Sequence, residues 1–202
     1  SQQLSLFAGQ AKGIVDQHQG SLVYAGGDDV LAFVPLHTVL QCARELAEAF
    51  RAAMAAFTFQ DHGEMVSPTL SAGIVVAHHL EPLADALTLA RQAEKAAKAV
   101  DGKDALAVIL SKRSGADVTV TGKWGDLDQR LDWFIWLHRD DRIPDAAAYQ
   151  LRDLALRLQL PTNCPQSTRE SLTNVQLLEA LRLLARKRAK RGRQNVEKTV
   201  QQ

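Results

Sequence analysis

Leu22-Val23-Tyr24-Ala25-Gly26-Gly27-Asp28-Asp29-Val30-Leu31-Ala32-Phe33-Val34-Pro35 decides how this chain is read. It is an apolar run, two glycines, two adjacent carboxylates and a second apolar run. β-Branched and aromatic residues on both sides favour strands, and a glycine-bearing turn between such runs marks a hairpin. Glycine reaches positive φ at no steric cost, so Gly26-Gly27 permits a tight reversal and offers bare backbone to a ligand. Aspartates at a hairpin tip are hard oxygen donors, the kind Mg2+ or Mn2+ takes while carrying a nucleotide's phosphates. Gly and Asp are also common turn formers, so the four residues alone read equally well as a turn.

The rest of the chain supplies the context. At 202 residues, with 46% apolar and 23% charged residues, it has the balance of a globular protein and lies far from disorder. A formal net charge of +1 excludes no partner class, but basic residues crowd near the C-terminus. Cys42 and Cys164 form no zinc-type pair, no signal peptide is recognisable, and no apolar run is long enough to span a bilayer. One disulfide between the two is conceivable, but the default expectation is a reducing cytoplasm and no membrane.

Upstream of the hairpin, Leu4 to His18 has helical spacing, with Leu4, Phe7, Ala8, Ala11, Ile14 and Val15 on one face and Gly9 and Gly13 weakening it. Downstream, Thr38 to Phe57 is a helix whose Val39, Leu40, Ala43, Leu46, Ala47, Phe50 and Met54 form an apolar stripe. Asp61-His62-Gly63-Glu64 reads as a polar loop and Thr69 to His78 as a strand. Gly73 within it marks a bulge or a close approach by another backbone or a ligand. Pro82 to Val100 is a helix, and Ala105 to Leu110 and Val118 to Thr121 are strands. The order is helix, hairpin, helix, strand, helix, strand, strand. With one more strand at its start, this is the β-α-β-β-α-β plan of a ferredoxin-like palm. From Gly125 onward the chain reads as all helical: Leu127 to His138, Asp145 to Gln159 and Leu172 to Arg188. The expectation is therefore α+β: a palm over 1–124 lacking its first strand, then a helical domain over 125–202.

Four stretches in this order carry a resemblance: LVYAGGDDVLAFVP at 22–35, LSAGIVVAH at 70–78, EKAAK at 94–98 and RSGADVTVTGKW at 113–124. Together they resemble the second palm and C-terminal helical domain of the large subunit of type III CRISPR effector complexes, in the Cmr or B-subtype form. The resemblance implies a palm that makes cyclic oligoadenylates from ATP with Mg2+ or Mn2+. Asp28 and Asp29 then match the metal-binding, catalytic pair. Gly26 and Gly27 admit the nucleotide, Ser71 and Gly73 contact its base or ribose from a strand beside the hairpin, and Lys98 meets the terminal phosphates. Lys98 alone reads as a solvated helix residue, and Lys95 lies on nearly the same face and can take the role instead. Because side chains alternate along a strand, both carboxylates face one site only if the turn bends the chain between them; otherwise one binds the metal and the other supports it from behind. The implied partners are the other subunits of such a complex, with crRNA and target RNA. The family's full subunit carries further N-terminal regions that this sequence lacks.

Arg182, Arg186, Lys187, Arg188, Lys190, Arg191 and Arg193 make a basic run that suits either a solvated face or contact with RNA phosphate or a neighbouring subunit. His78-His79 should end a strand, one of them partly buried, since adjacent strand residues cannot easily chelate one ion. Trp124, Trp133, Phe134 and Trp136 read as packing between palm and helical tail. A phosphate-loop glycine motif and a nucleophilic serine elbow are both absent. Two competing readings stand beside the synthase: a catalytically silent scaffold that binds RNA and subunits, and a diguanylate cyclase. Asp29-Val30, where that cyclase signature continues Glu-Phe, argues against the last.

Overall fold

The computed structural model describes residues 2–61, 64–112, 115–158 and 165–185. They form α1 (Gln2–Gln17), β1 (Ser21–Gly26), β2 (Asp29–Phe33), α2 (Val39–Met54), β3 (Phe59–Asp61), β4 (Glu64–Val66) and β5 (Ala72–Val76). Then follow α3 (Leu83–Lys98), β6 (Ala105–Leu110), β7 (Val118–Lys123), α4 (Leu127–Arg139), α5 (Asp145–Arg157) and α6 (Gln166–Ala185). The mixed α+β class agrees with the sequence. The chain divides into two compact units, 1–130 and 131–202.

In the first unit, α1 buries Phe7, Ala11 and Val15, spaced four residues apart as one helix face requires. Phe7 meets Phe50 of α2 edge to face, ring centroids 5.1 Å apart, over a cluster completed by Met54, Leu4, Val30 and Leu70. Val30 belongs to β2, so this cluster is what seats the hairpin on the helices. At the far end of α1, Gln19 takes φ 59° and the chain reverses into β1. Buried His18 donates to Glu45 (2.9 Å), and the Thr38 hydroxyl donates to the His18 carbonyl (2.8 Å). These bonds fasten the α1 end to the start of α2. Cys42 is buried on α2, and burial, with the Glu45 charge second, pushes its thiol up to about 11.

The strands form three separate ladders: β1-β2, β3-β4 and β5-β6-β7. β5 and β6 are parallel, with α3 as the crossover between them, and β7 closes antiparallel on β6. Ala93 and Ala97 of α3 pack on Ala107 and Ile109 of β6. The sequence expectation placed the hairpin beside β5. No ladder joins them among the described residues, so β2 and β5 each keep an unpaired edge. Of the stretch read as a polar loop, Asp61 and Glu64 instead belong to β3 and β4 and pair with each other, and His62 and Gly63 lie outside the described residues. Beyond β5, His78 and His79 are both exposed and stack on each other (centroids 4.3 Å apart), which corrects the expectation that one is partly buried. The strand stops at Val76, before reaching them.

The start of α4 is tied to the first unit. The Trp124 indole donates to the Leu70 carbonyl (2.8 Å), and Asp128, 2% exposed, accepts from Arg44 of α2 (2.6 Å) and from the Gly125 N–H (2.7 Å). In the second unit, Leu137, Ile143, Ala147 and Leu184 form a small core flanked by Trp133, Leu151 and Leu183. α6 begins at Gln166, six residues earlier than the apolar pattern marks.

Two outcomes follow. Asp128→Ala leaves Arg44 and the Gly125 N–H without this acceptor; urea denaturation should show a loss of about 2–3 kcal/mol, below the fully buried limit because Arg44 is partly solvated. Asp128→Asn, which still accepts a hydrogen bond, should lose less. Cys42, held as a neutral thiol, should resist alkylation at neutral pH in the native protein and react once the chain is unfolded.

Candidate functional site

The hairpin tip is a two-residue loop, Gly27-Asp28, closed by the Gly26–Asp29 strand pair. Gly27 takes φ +66° at the first central position, a conformation that a two-residue hairpin assigns to glycine. Asp28 therefore sits in the loop and Asp29 opens β2. Asp28 is thus outside the strand ladder while Asp29 is its first β2 residue, so strict strand alternation does not apply to the pair. Both are exposed. The ladder slips by one residue between Leu22 and Tyr24, a bulge that leaves Val23 and Tyr24 both facing solvent. A Cβ on Gly26 would collide with the Tyr24 hydroxyl and ring, so the phenol lies across the glycine backbone. Sequence reasoning gave Tyr24 no role beyond strand formation. Its i, i+2 spacing from Gly26 was the available signal.

The cation singled out in sequence lies on α3. Glu94 and Lys98, one turn apart, pair at 2.5 Å. The hydrogen bond that Lys98 donates to Glu94 is the first cause that raises the Lys98 pKa. Partial burial opposes it, and the charges of Glu94, Asp29 and Asp28 raise it further. Lys98 thus lies in the field of both hairpin carboxylates, which brings together three of the residues singled out in sequence. Lys95 is exposed and makes no ion pair among the described residues. Glu94 was quoted in sequence only as part of a motif. An i, i+4 Glu–Lys pair is so common on helices that nothing in the sequence set it apart.

Ser71 and Gly73 have structural employment. The Ala105 N–H donates to the Ser71 hydroxyl oxygen (3.4 Å), which ties the approach to β5 to the start of β6. A Cβ on Gly73 would collide with the Glu94 backbone nitrogen and lie 2.7 Å from the Ala93 carbonyl carbon. Of the readings open for this glycine, close approach by another backbone is realised here. The nearest atoms are main chain of α3, which cannot swing aside.

The donor set bears on a metal. Two exposed carboxylates stand at the tip, and no group of three or more His, Cys, Asp or Glu side chains that could hold an ion occurs among the described residues. A closed protein cage is therefore missing there, as is usual for Mg2+, which keeps waters and is bound by one or two carboxylates plus substrate phosphate. Asp28 and Asp29 fit that mode.

Other candidates fall elsewhere. Trp124 serves the first unit through Leu70, while Trp133 packs in the second-unit core and meets Phe134 at 5.1 Å. Arg142 lies 4.8 Å over the Trp136 ring. Arg182 is exposed and pairs with Glu179 (3.6 Å). Arg186, Lys187, Arg188, Lys190, Arg191 and Arg193, and also Cys164 and His62, lie outside the described residues. No helix of the described residues is long and apolar enough to cross a membrane.

Comparison with known proteins adds two findings. The family model described as Cas10/Cmr2, second palm domain, matches residues 1–107. The CRISPR system Cmr subunit Cmr2 of Pyrococcus furiosus is 40% identical over 117 residues, which is 57% of this chain and 13% of that protein. The chain thus covers a small part of that relative's length.

The geometry at Gly73 has a direct check. Gly73→Ala forces β5 and α3 apart, so thermal or chemical denaturation should show a loss of about 1–3 kcal/mol, the range of overpacked sites. Gly9→Ala, where a Cβ meets nothing, should cost no stability.

Proposed function

Since the chain belongs to the family of the Cas10/Cmr2 second palm domain, we propose that it is the nucleotidyl-transferring palm of a type III CRISPR effector complex, making cyclic oligoadenylates from ATP. The observation that carries this reading is that Asp28 and Asp29 at the hairpin tip lie within electrostatic range of Lys98, which comes from a separate element. Asp28 and Asp29 hold Mg2+ or Mn2+. When bound, the ion offsets triphosphate charge and favours ionisation of the attacking 3′-hydroxyl. The chemistry is attack of that hydroxyl on the α-phosphorus of ATP, forming a new P–O bond as the α–β bond breaks and pyrophosphate leaves. Lys98 supplies a cation to the terminal phosphates. The bare backbone of Gly27 lets the nucleotide approach the turn, with Tyr24 over Gly26 at its border. Ser71 and Gly73 act at one remove, by holding β5 against β6 and α3.

The unpaired edges of β2 and β5 belong to the same proposal. A ferredoxin-like palm joins these strands through one more strand, for which these two edges leave a slot. Filling that slot satisfies two rows of backbone groups and joins the hairpin to the sheet that α3 packs on. The other complex subunits, crRNA and target RNA are the partners in this reading, and the basic run from Arg182 is its contact for RNA phosphate or protein.

The test is ATP turnover by the assembled complex with Mn2+ and target RNA. Asp28→Ala with Asp29→Ala should lower it by at least about a hundredfold, the scale of lost metal-assisted charge stabilisation. Complex assembly and RNA binding should be retained. Unchanged turnover would leave the silent scaffold as the reading. Products made from GTP in place of ATP would leave the diguanylate cyclase.

A further inference from the structure

On α3, Glu94 pairs with Lys98 at 2.5 Å, and the charges of Asp28 and Asp29 on the hairpin act on the same ammonium. The position of Glu94 is not left to the helix alone. β5 closes on its backbone at Gly73, where no side chain fits, and Ala93 beside it is fully buried. The turn of α3 that carries Glu94 is thereby clamped, while the side chains of Glu94 and Lys98 are half exposed and free to exchange partners. Exposed pairs of this kind contribute little to stability. The consequence lies in charge. With Lys98 neutralised by Glu94, the hairpin carboxylates keep two net negative charges, the complement of a divalent cation. Released from Glu94, a flexible ammonium is drawn to the two aspartates and competes for the place of the ion.

We propose that Glu94 is a positioning residue: it tethers Lys98 beside the Asp28–Asp29 pair and keeps the ammonium off those carboxylates, so that they stay open to a divalent cation. On arrival of a nucleotide, the triphosphate replaces Glu94 as the partner of Lys98. This rests on the metal-dependent reading of the hairpin proposed above and adds to it the residue that keeps the metal site vacant for its ion.

The experiment measures Mn2+ binding to the assembled complex by electron paramagnetic resonance, counting the fraction of bound ion lost in the Asp28→Ala/Asp29→Ala variant. Glu94→Gln should weaken that binding roughly fivefold, the scale of one added like charge at an exposed site. Lys98→Met should not weaken it. Adding Lys98→Met to Glu94→Gln should restore binding to within about twofold of Lys98→Met alone, because the competitor is gone. Glu94→Asp, which keeps the charge, should recover part of the loss, and the Glu94→Gln complex should melt with the parent. If Glu94→Gln binds Mn2+ as tightly as the parent, the tether is wrong while the metal site stands. If the double variant stays weak, Glu94 is itself a ligand or a structural support and the proposal is overturned. If the parent shows no Mn2+ that depends on Asp28 and Asp29, the metal reading fails, and the tether with it.

Discussion

The edge contact between Phe7 and Phe50 is the interaction on which the hairpin depends. β1 and β2 form a two-stranded ladder, and an isolated hairpin is marginal in water. What holds it is apolar burial beneath it: α1 supplies Phe7, α2 supplies Phe50 and Met54, and β2 reaches the same cluster through Val30. Val30 directly follows Asp29, so the residue that anchors the strand stands beside the residue that carries the charge. The two carboxylates sit at the wet end of a short strand whose next side chain is packed.

A second constraint acts on the helix that carries Lys98. α3 approaches β5 so closely that position 73 has no room for a side chain. Buried Ala93 and Ala97 meet β6 on the same helix. Small residues on both partners let the helix axis come near the sheet and fix its rotation. Once the rotation is set, the 3.6-residue period places Glu94 and Lys98 together on one face. The two elements are thus seated by different means. Large aromatic side chains seat the hairpin, and the absence of side chains seats the helix.

Much of this was legible in sequence because the signals are local. The helical periods of α1, α2 and α3 and the glycine turn between two apolar runs each lie within about 20 residues. What could not be read depended on remote or ambiguous partners. β3 and β4 are three residues each, too short for alternation to register. The separation of the hairpin from β5 turns on a pairing that local pattern does not encode. Tyr24 lies across Gly26 because of a bulge, and a bulge is a mismatch between two strands, invisible in either alone. α6 begins at Gln166 in a polar run where no apolar stripe marks its start.

The aspartate pair shows why a short motif gains meaning from its surroundings. Gly-Gly-Asp-Asp in a free turn is four residues in water, and its carboxylates would be screened like any others at the surface. Here the turn sets Asp28 in the loop and Asp29 at the strand head, both exposed at the tip of a seated hairpin. A cation from a separately anchored helix then stands within their field, itself balanced by a third carboxylate. Glu94, on the same helix as Lys98, holds that cation in an ion pair of its own, while the aspartates are carried by the hairpin. That is the physical difference between an acidic turn standing alone in water and one whose charges act on a separately supported cation.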